Sequence, residues 1–566
     1  MANINLKTIK FPDIADLYDV CKYDDLLNVI RITSANTTMG DIVTILGSVN
    51  SKGDHVVFDV AALDAGMYLC TIYIGSGYYR IADLVTGFEG TGFFDANDKL
   101  ADIIASGSQS TGNHYTMVWD KVNSQGTRLN DAASITLTTT HFGNFGSVDA
   151  SYDNPFDSIY PWSGRKLCNI DIDTYMALTE GDDITDCVVA WEGDVNFNYN
   201  HQYGVWVYTP AFFGRSYEMG NYRYFDVTDE NLQNNIAYPA SIVGRWLGVD
   251  VELTIGGASK HCNLPKTGMP MANVTLANMH AYAKNFKASL VDIYNLDATS
   301  LLFIVEYASM NLQDKLGSGA SDIYKQTMHP VAAVTGSTMI TVDATHAVLI
   351  PGAIVDIGTT DGSNNKYRTS IVSATASGAN TVLELADAVT VATTDFVSVH
   401  GVINKADEDI GSKSGYIGTN GKSNAYYRGQ TFYANIYQYI LGAYRQKDTE
   451  KIWVAEEGDT DNYDALDTTK HKDTGVKLPA SGWIKALALC EGFSFVPFPT
   501  ATGDGAGATN PVGDYVYVPT ASTANTVLLL GGSANGGASC GWYGYWAYSA
   551  GVSYWYFGSC PRLLNP

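Results

Sequence analysis

The sequence predicts a mixed, β-rich fold: an N-terminal β domain, then an α+β domain interrupted by a small all-β insertion. Three observations point to it. Gly, Ser, Thr, Asn and Tyr are plentiful while charged residues make up only 16% of 566, a balance that favours short strands and turns over long solvent-facing helices. Apolar runs are short and alternate with polar residues in the first part of the chain. Two helical periodicities lie close together between residues 274 and 319, and a Val/Thr/Ala-rich stretch follows them. The length suits three or four domains.

In chain order, residues 1–150 carry MGDIVTILGSV, DHVVFDVAAL and MYLCTIYIGSGYYRIADL, separated by Gly, Asn and Asp. This reads as an antiparallel β-rich domain. The next part is mixed. VTLANMHAYAKNFKASLVDIY places Leu276, Met279, Phe286 and Leu290 near helical spacing. A second helix is expected in DATSLLFIVEYASMNLQDKLGSG, with Thr299 or Ser300 as its cap and Gly317 at its end. Residues 328–402, with TGSTMITVDATHAVLIPGAIVDIG and NTVLELADAVTVATTDFVSVHG, read as strands joined by Gly and Asn turns. Beyond them the mixed character returns. QTFYANIYQYILGAY fits an amphipathic helix or a buried strand, and SGWIKALALCEGFSFVPF and DYVYVPTA fit strands and loops.

Several function classes are disfavoured. The net charge of −25, with no basic stripe, argues against a nucleic-acid partner. No apolar run reaches membrane-spanning length, so no membrane insertion is expected, and the first residues do not read as a secretory signal. Cys21, Cys70, Cys168, Cys187, Cys262, Cys490, Cys540 and Cys560 form no CxxC pair and read as free, mostly buried thiols of a reducing cytoplasm. GTNGKS has Tyr416 where a phosphate-binding loop needs its first Gly and reads as a surface turn. EEGDTDNYDALD lacks the turn Gly of a calcium loop and reads as a solvated acidic loop. There is no HExxH, no zinc-ligand spacing and no GxSxG, and the adjacency of His261 and Cys262 is no sign of a dyad. No catalytic residue, metal site or cofactor is expected, and the chain does not read as an enzyme.

The C-terminal stretch GGSANGGASCGWYGYWAYSAGVSYWYFGSC, Gly531 to Cys560, stands apart. No charged residue lies between Asp514 and Arg562. A buried strand pair is one reading, but core strands carry Val, Ile and Leu, which are nearly absent here. Tyr and Trp offer large, rigid contact area with a polar handle, and Gly, Ser and Ala leave room between them. That composition favours a binding surface.

These residues also carry a resemblance. The frame is Gly531–Ser533, Gly541, Ser553, Gly558-Ser559 and Arg562-Leu563. Upstream stand VWDKVNSQGTRLNDA, FDSIYPWSGRKLCNI, LLFIVEYASMNLQDKLGSG and GTNGKSNAYYRGQTFYANIYQYILG. In this order they resemble the phage variable proteins diversified by diversity-generating retroelements, the family that includes the phage major tropism determinant. Two departures stand out. Gln430-Thr431 replace the usual Ile-Glu-Asn after Tyr427-Arg428-Gly429, and two extra residues precede Arg562.

The resemblance implies a C-type-lectin-like domain, related to the formylglycine-generating enzyme fold, over 155–327 and 403–566, with 328–402 as the insertion. Residues 1–150 would then be a virion-attachment domain. It implies a tail-fibre or tail-tip receptor-binding protein, made in the host cytoplasm and carried on the virion as a homotrimer. Its partners would be other virion tail proteins and a bacterial surface receptor, protein or glycan. Because the retroelement mutates adenines, mostly in AAY codons, it cannot yield Trp from them. Trp542, Trp546 and Trp555 are therefore expected as fixed scaffold aromatics. The variable receptor-binding positions are expected at Ala534, Gly536, Ser539, Tyr543, Gly544, Tyr545, Ala547, Tyr548, Tyr554, Tyr556 and Phe557. The catalytic branch of the fold needs reactive cysteines near this end, and Cys540 and Cys560 have no basic neighbour to activate them. The alternative is a structural virion protein whose aromatic face packs against a neighbouring subunit. A third is an oxidase or sulfur-transferring relative of the same fold.

Overall fold

The computed structural model describes residues 29–32, 71–74, 77–80, 113–137, 154–219, 222–229, 231, 236–317, 319–405, 424–455, 465–488, 498–503, 512–518, 524–541 and 546–566. The fold is mixed and β-rich, with several antiparallel sheets. Two compact units are formed, one from Met1–Ile135, Phe212–Tyr238 and Ile304–Ala308, the other from the remainder.

In the first unit, a five-stranded antiparallel sheet runs in the order Ile236–Tyr238, Phe212–Met219, Tyr222–Thr228, His114–Asp120, Gln125–Asn130. Asp120 shapes the turn between the last two strands: its Oδ1 accepts from the Val122 and Asn123 amides at 2.8 and 3.0 Å. The sheet takes three of its strands from 212–238, beyond the boundary placed near residue 150, because the central strand Tyr222–Thr228 pairs along its whole length with His114–Asp120. The strands Thr71–Ile74 and Gly77–Arg80 form the expected antiparallel hairpin. Val29–Ile32, however, pairs with Thr71–Ile74 in parallel, an arrangement that the long connection between them permits. MGDIVTILGSV and DHVVFDVAAL lie outside the described residues.

In the second unit, one antiparallel sheet runs Ser289–Leu290, Pro561–Arg562, Ser241–Gly244, Trp206–Thr209, Lys166–Ile170, Val188–Trp191. Another runs His471–Lys477, Lys451–Ala455, Tyr437–Arg445, Thr526–Leu530, Trp546–Tyr548, with Phe557–Gly558 added in parallel to Tyr437–Gln438. One apolar core joins them through Ile170, Trp206, Ile242, Tyr437, Tyr439, Leu529 and Phe557. QTFYANIYQYILGAY is therefore strand, and every residue of Gln430–Tyr433 and Tyr437–Arg445 is buried.

Four α-helices lie among the described residues: α1 (Ile172–Ala177), α2 (Leu276–Lys284), α3 (Ile293–Tyr307) and α4 (Leu312–Leu316). In α2, capped by Thr275, Leu276 and Met279 face the core with Phe286 and Leu290 beyond its end. Helix α3 starts earlier than the sequence implies, so Thr299 and Ser300 are mid-helix. Asp292 does the capping instead, its Oδ1 accepting from the Tyr294 and Asn295 amides. Gly317 ends α4, at φ 83°.

The insertion is a sheet of six strands in the order Tyr324–Met328, Phe396–Val402, Ala353–Gly358, Tyr367–Ser377, Asn380–Val391, Val334–Val342. Its first strand begins four residues before the expected boundary at 328, since Tyr324 already pairs with His400. The two outer strands meet: the Val331 amide donates to Thr341 O and the Asp343 amide to His329 O, at 2.8 and 3.0 Å. A single bridge, Pro330 with Val342, thus brings the two ends of the sheet together, and the sheet curls into a small barrel. Its core is Val, Ile and Leu with a few Ala and Met.

Candidate functional site: the C-terminal aromatic segment

The aromatic segment is held at both ends, and Ser549, Gly551, Ser553 and Tyr554 are exposed between them. It leaves the buried strand Thr526–Leu530 through Gly531 and Gly532, at φ 93° and 79°. A side chain at Gly532 would also strike Cys540, whose Sγ lies 2.4 Å from the Cβ position. Ser533 and Ala534 are buried, and the Ala534 amide donates to Asn435 O. A 3-10 turn follows at Gly537–Ser539, where the Gly537 amide donates to Ser321 O. The Gln313 side chain of α4 reaches Ala538 O at 3.0 Å. Strand Trp546–Tyr548 then pairs with Val527–Leu529. At the far end Phe557–Gly558 joins Tyr437–Gln438, and Pro561–Arg562 enters the middle of the first sheet. There Arg562 forms a buried ion pair with Asp292. The residues just before Arg562 are buried: Asn263 donates to the Ser559 hydroxyl at 2.8 Å, and Val291 donates to Cys560 O.

Two of the expected variable positions are buried. Ala534 is buried because its backbone closes against Asn435, and Phe557 is buried because its ring sits edge-on between those of Tyr437 and Tyr439. Gly536 and Ser539 are half-buried in the 3-10 turn. Tyr554 is the most exposed described aromatic of the segment, at 40%. Its ring stacks parallel to that of the half-buried Tyr556, with centroids 5.1 Å apart and an interplanar angle of 2°. Ser549, Gly551 and Ser553 are exposed beside them. Trp555 lies flat over His400 and Tyr324 of the barrel, at 4.0 and 5.8 Å. Trp546, Ala547 and Tyr548 are placed by their backbone in the strand. Trp542, Tyr543, Gly544 and Tyr545 lie outside the described residues.

Three of the upstream motifs meet in one buried cluster. The Arg165 guanidinium donates to Gln430 Oε1 at 2.6 Å and lies over the Tyr427 ring. Arg428 donates to Trp162 O and pairs with Asp157 at 3.1 Å. The Trp162 indole N–H donates to Leu302 O at 3.1 Å. Arg428 and Gly429 form a two-residue hairpin turn at φ 44° and 86°, between paired Tyr427 and Gln430. Gln430, next to this turn, is the buried partner of Arg165. Sequence spacing gave no sign of this pair, since 265 residues separate its members.

The five described cysteines, Cys168, Cys187, Cys262, Cys540 and Cys560, are buried and unpaired. Burial pushes the Cys540 and Cys560 thiols well above their ordinary range, the opposite of an activated nucleophile. His261 and Cys262 point apart: His261 is exposed and binds Asp250 at 2.9 Å, while Cys262 faces the core. GTNGKS and most of the 456–467 acidic loop lie outside the described residues. Among the described residues, no group of three or more His, Cys, Asp or Glu is placed to hold a metal ion. Compared with known proteins, the chain matches no family model and no curated protein at significant similarity.

Proposed function

We propose that this protein is a phage receptor-binding protein of the tail fibre or tail tip, and that its aromatic segment presents a hypervariable face to a bacterial surface receptor. One observation carries the reading. The segment is seated in buried structure at Gly531–Ala534 and Phe557–Leu563, yet exposes Ser549, Gly551, Ser553 and Tyr554 between those anchors. Such a segment can change its middle residues without unseating its ends, because surface substitutions disturb stability little. The domain is read as C-type-lectin-like because the motifs that carry the resemblance meet in one cluster and the segment's ends join both sheets. In a homotrimer, weak contacts at each copy would add through avidity.

On this reading the variable set is Gly536, Ser539, Tyr543, Gly544, Tyr545, Ala547, Tyr548, Tyr554 and Tyr556. Deep sequencing of the gene across a phage population tests it. Substitutions are expected to cluster at these positions in codons derived from AAY. They are expected to spare Trp542, Trp546 and Trp555, and also the buried Ala534 and Phe557. An invariant segment would overturn the proposal and turn attention to a fixed partner on the aromatic face.

A further inference from the structure

The barrel core is mainly Val, Ile and Leu, with a few buried polar residues, Thr369, Asp395 and Ser398 among them. Asp356 and His400 are both fully buried. The His400 Nδ1 lies 2.6 Å from Asp356 Oδ2, and Arg368 reaches both Asp356 oxygens at 3.1 and 3.2 Å. Asp356 stands opposite Arg368 on one neighbouring strand and opposite Ser398, two residues before His400, on the other. The three side chains thus lie together across three adjacent strands. Among the described residues, His400 Nε2 meets no hydrogen-bond partner. Buried ionisable groups are poor stabilisers, and apolar residues of similar volume often serve a core as well or better. A barrel core built mainly of Val, Ile and Leu does not need a buried Asp–His–Arg set for its own packing.

The set does fix the plane of one ring. His400 is bonded at one edge to Asp356, and Trp555 of the aromatic segment lies on its face, 4.0 Å between centroids and 13° between planes. Tyr324, paired with His400 across the strands, extends the same platform, 5.5 Å from His400 and 5.8 Å from Trp555. Tyr556 meets Trp555 edge-on, with centroids 4.8 Å apart, and Tyr554 and Tyr556 stack on each other.

We infer that the inserted barrel is a positioning device for the aromatic segment. Asp356 sets the plane of His400, His400 and Tyr324 seat Trp555, and the seated Trp555 fixes how Tyr554 and Tyr556 are presented. His400, Asp356 and Tyr324 are positioning residues. What the positioned rings bind rests on the receptor-binding reading above, but the clamp itself does not.

The test uses the full chain labelled with 5-fluorotryptophan, with the Trp555 resonance identified as the one lost in Trp555→Phe. In His400→Leu the Trp555 resonance is expected to shift toward the solvent-exposed position and to gain a larger water isotope shift, while the other tryptophans stay in place. His400→Phe, which keeps a flat ring, is expected to restore it in part, a rescue that a general packing role would not require. Asp356→Asn tests the weaker effect of a loosened ring. The converse variant, Trp555→Leu, leaves the barrel sequence intact. In it, the His400 ring protons are expected to lose their ring-current shift. An unmoved Trp555 resonance in His400→Leu, or unmoved His400 protons in Trp555→Leu, would overturn the inference. No receptor enters either measurement, so a failed clamp and a failed receptor reading give separate results.

Discussion

Two stretches of this chain share a composition and differ in fate. Ala425–Arg445 and Gly531–Cys560 are both rich in Tyr and poor in charge. In the first, Tyr426, Tyr427, Tyr433, Tyr437, Tyr439 and Tyr444 are all buried, and in the second Tyr554 is exposed. The difference lies in what each phenol finds. Tyr426 accepts from the Trp246 indole at 2.9 Å, Tyr433 donates to Gly317 O, and Tyr439 donates to Val552 O at 2.8 Å. A buried Tyr needs such a partner for its hydroxyl, and strands on both sides satisfy the backbone of Tyr437–Arg445. Aromatic content alone does not mark a surface. Anchoring and partners decide which side of the boundary a ring takes.

Truncation gives the largest contrast. Phe557→Ala and Tyr439→Ala each empty a fully buried aromatic site and are expected to lower stability by about 3–5 kcal/mol. Tyr554→Ala, at the exposed turn, loses its ring contacts with Tyr556 and Phe557 and is expected to cost only about 1 kcal/mol. Urea unfolding of the three variants measures this. If Tyr554→Ala proves as costly as Phe557→Ala, the exposed middle of the segment is core and the contrast fails.

Alkaline pH should produce a smaller effect that reports the anchored regions. Burial raises the thiols of Cys540 and Cys560 and the phenols of Tyr433 and Tyr439 above their ordinary values. The unfolded chain then loses these protons first. Their contribution to stability is full below the ordinary thiol value of 9.0 and declines as pH rises above it. The decline is about 1.4 kcal/mol per thiol for each further pH unit. Urea unfolding at pH 8 and pH 10, with and without Cys540→Ala and Cys560→Ala, separates the thiol share. The same thiols should resist a water-soluble thiol reagent until the chain unfolds. Rapid labelling in the native state would mean that the flanks are open.

Much of the β-rich fold was legible from local pattern. The barrel strands announce themselves by Val/Thr alternation between Gly and Asn turns, and α2 by the spacing of Leu276 and Met279. Boundaries that depend on distant partners were not legible. The strands at 212–238 join 114–130 through cross-strand pairing, and the cap of α3 moves to Asp292 because its carboxylate meets two free amides. The candidate site was legible as a segment but not residue by residue. Ala534 and Phe557 look interchangeable with their neighbours in composition, and only the contacts with Asn435, Tyr437 and Tyr439 distinguish them. The Trp555 platform depends on His400, 155 positions earlier by numbering, and no periodicity could connect the two.

The smallest expected effect tests the link between the two stretches. The Tyr439 hydroxyl donates to Val552 O, a direct hydrogen bond from the buried aromatic strand to the exposed turn. Tyr439→Phe keeps the ring in place beside Phe557 and removes only this bond. A single neutral hydrogen bond contributes about 1 kcal/mol net, and the half-buried Val552 carbonyl can recover part of that from water. The global loss should therefore be about 1 kcal/mol or less. The local effect should be clearer, because Val552 closes the turn that starts at Ser549, its amide donating to Ser549 O. Hydrogen exchange is expected to quicken for residues 549–554 and to stay unchanged across Tyr437–Arg445. Equal quickening in both stretches would mean that they open as one unit, and the distinction between an anchored strand and a displayed turn would be lost.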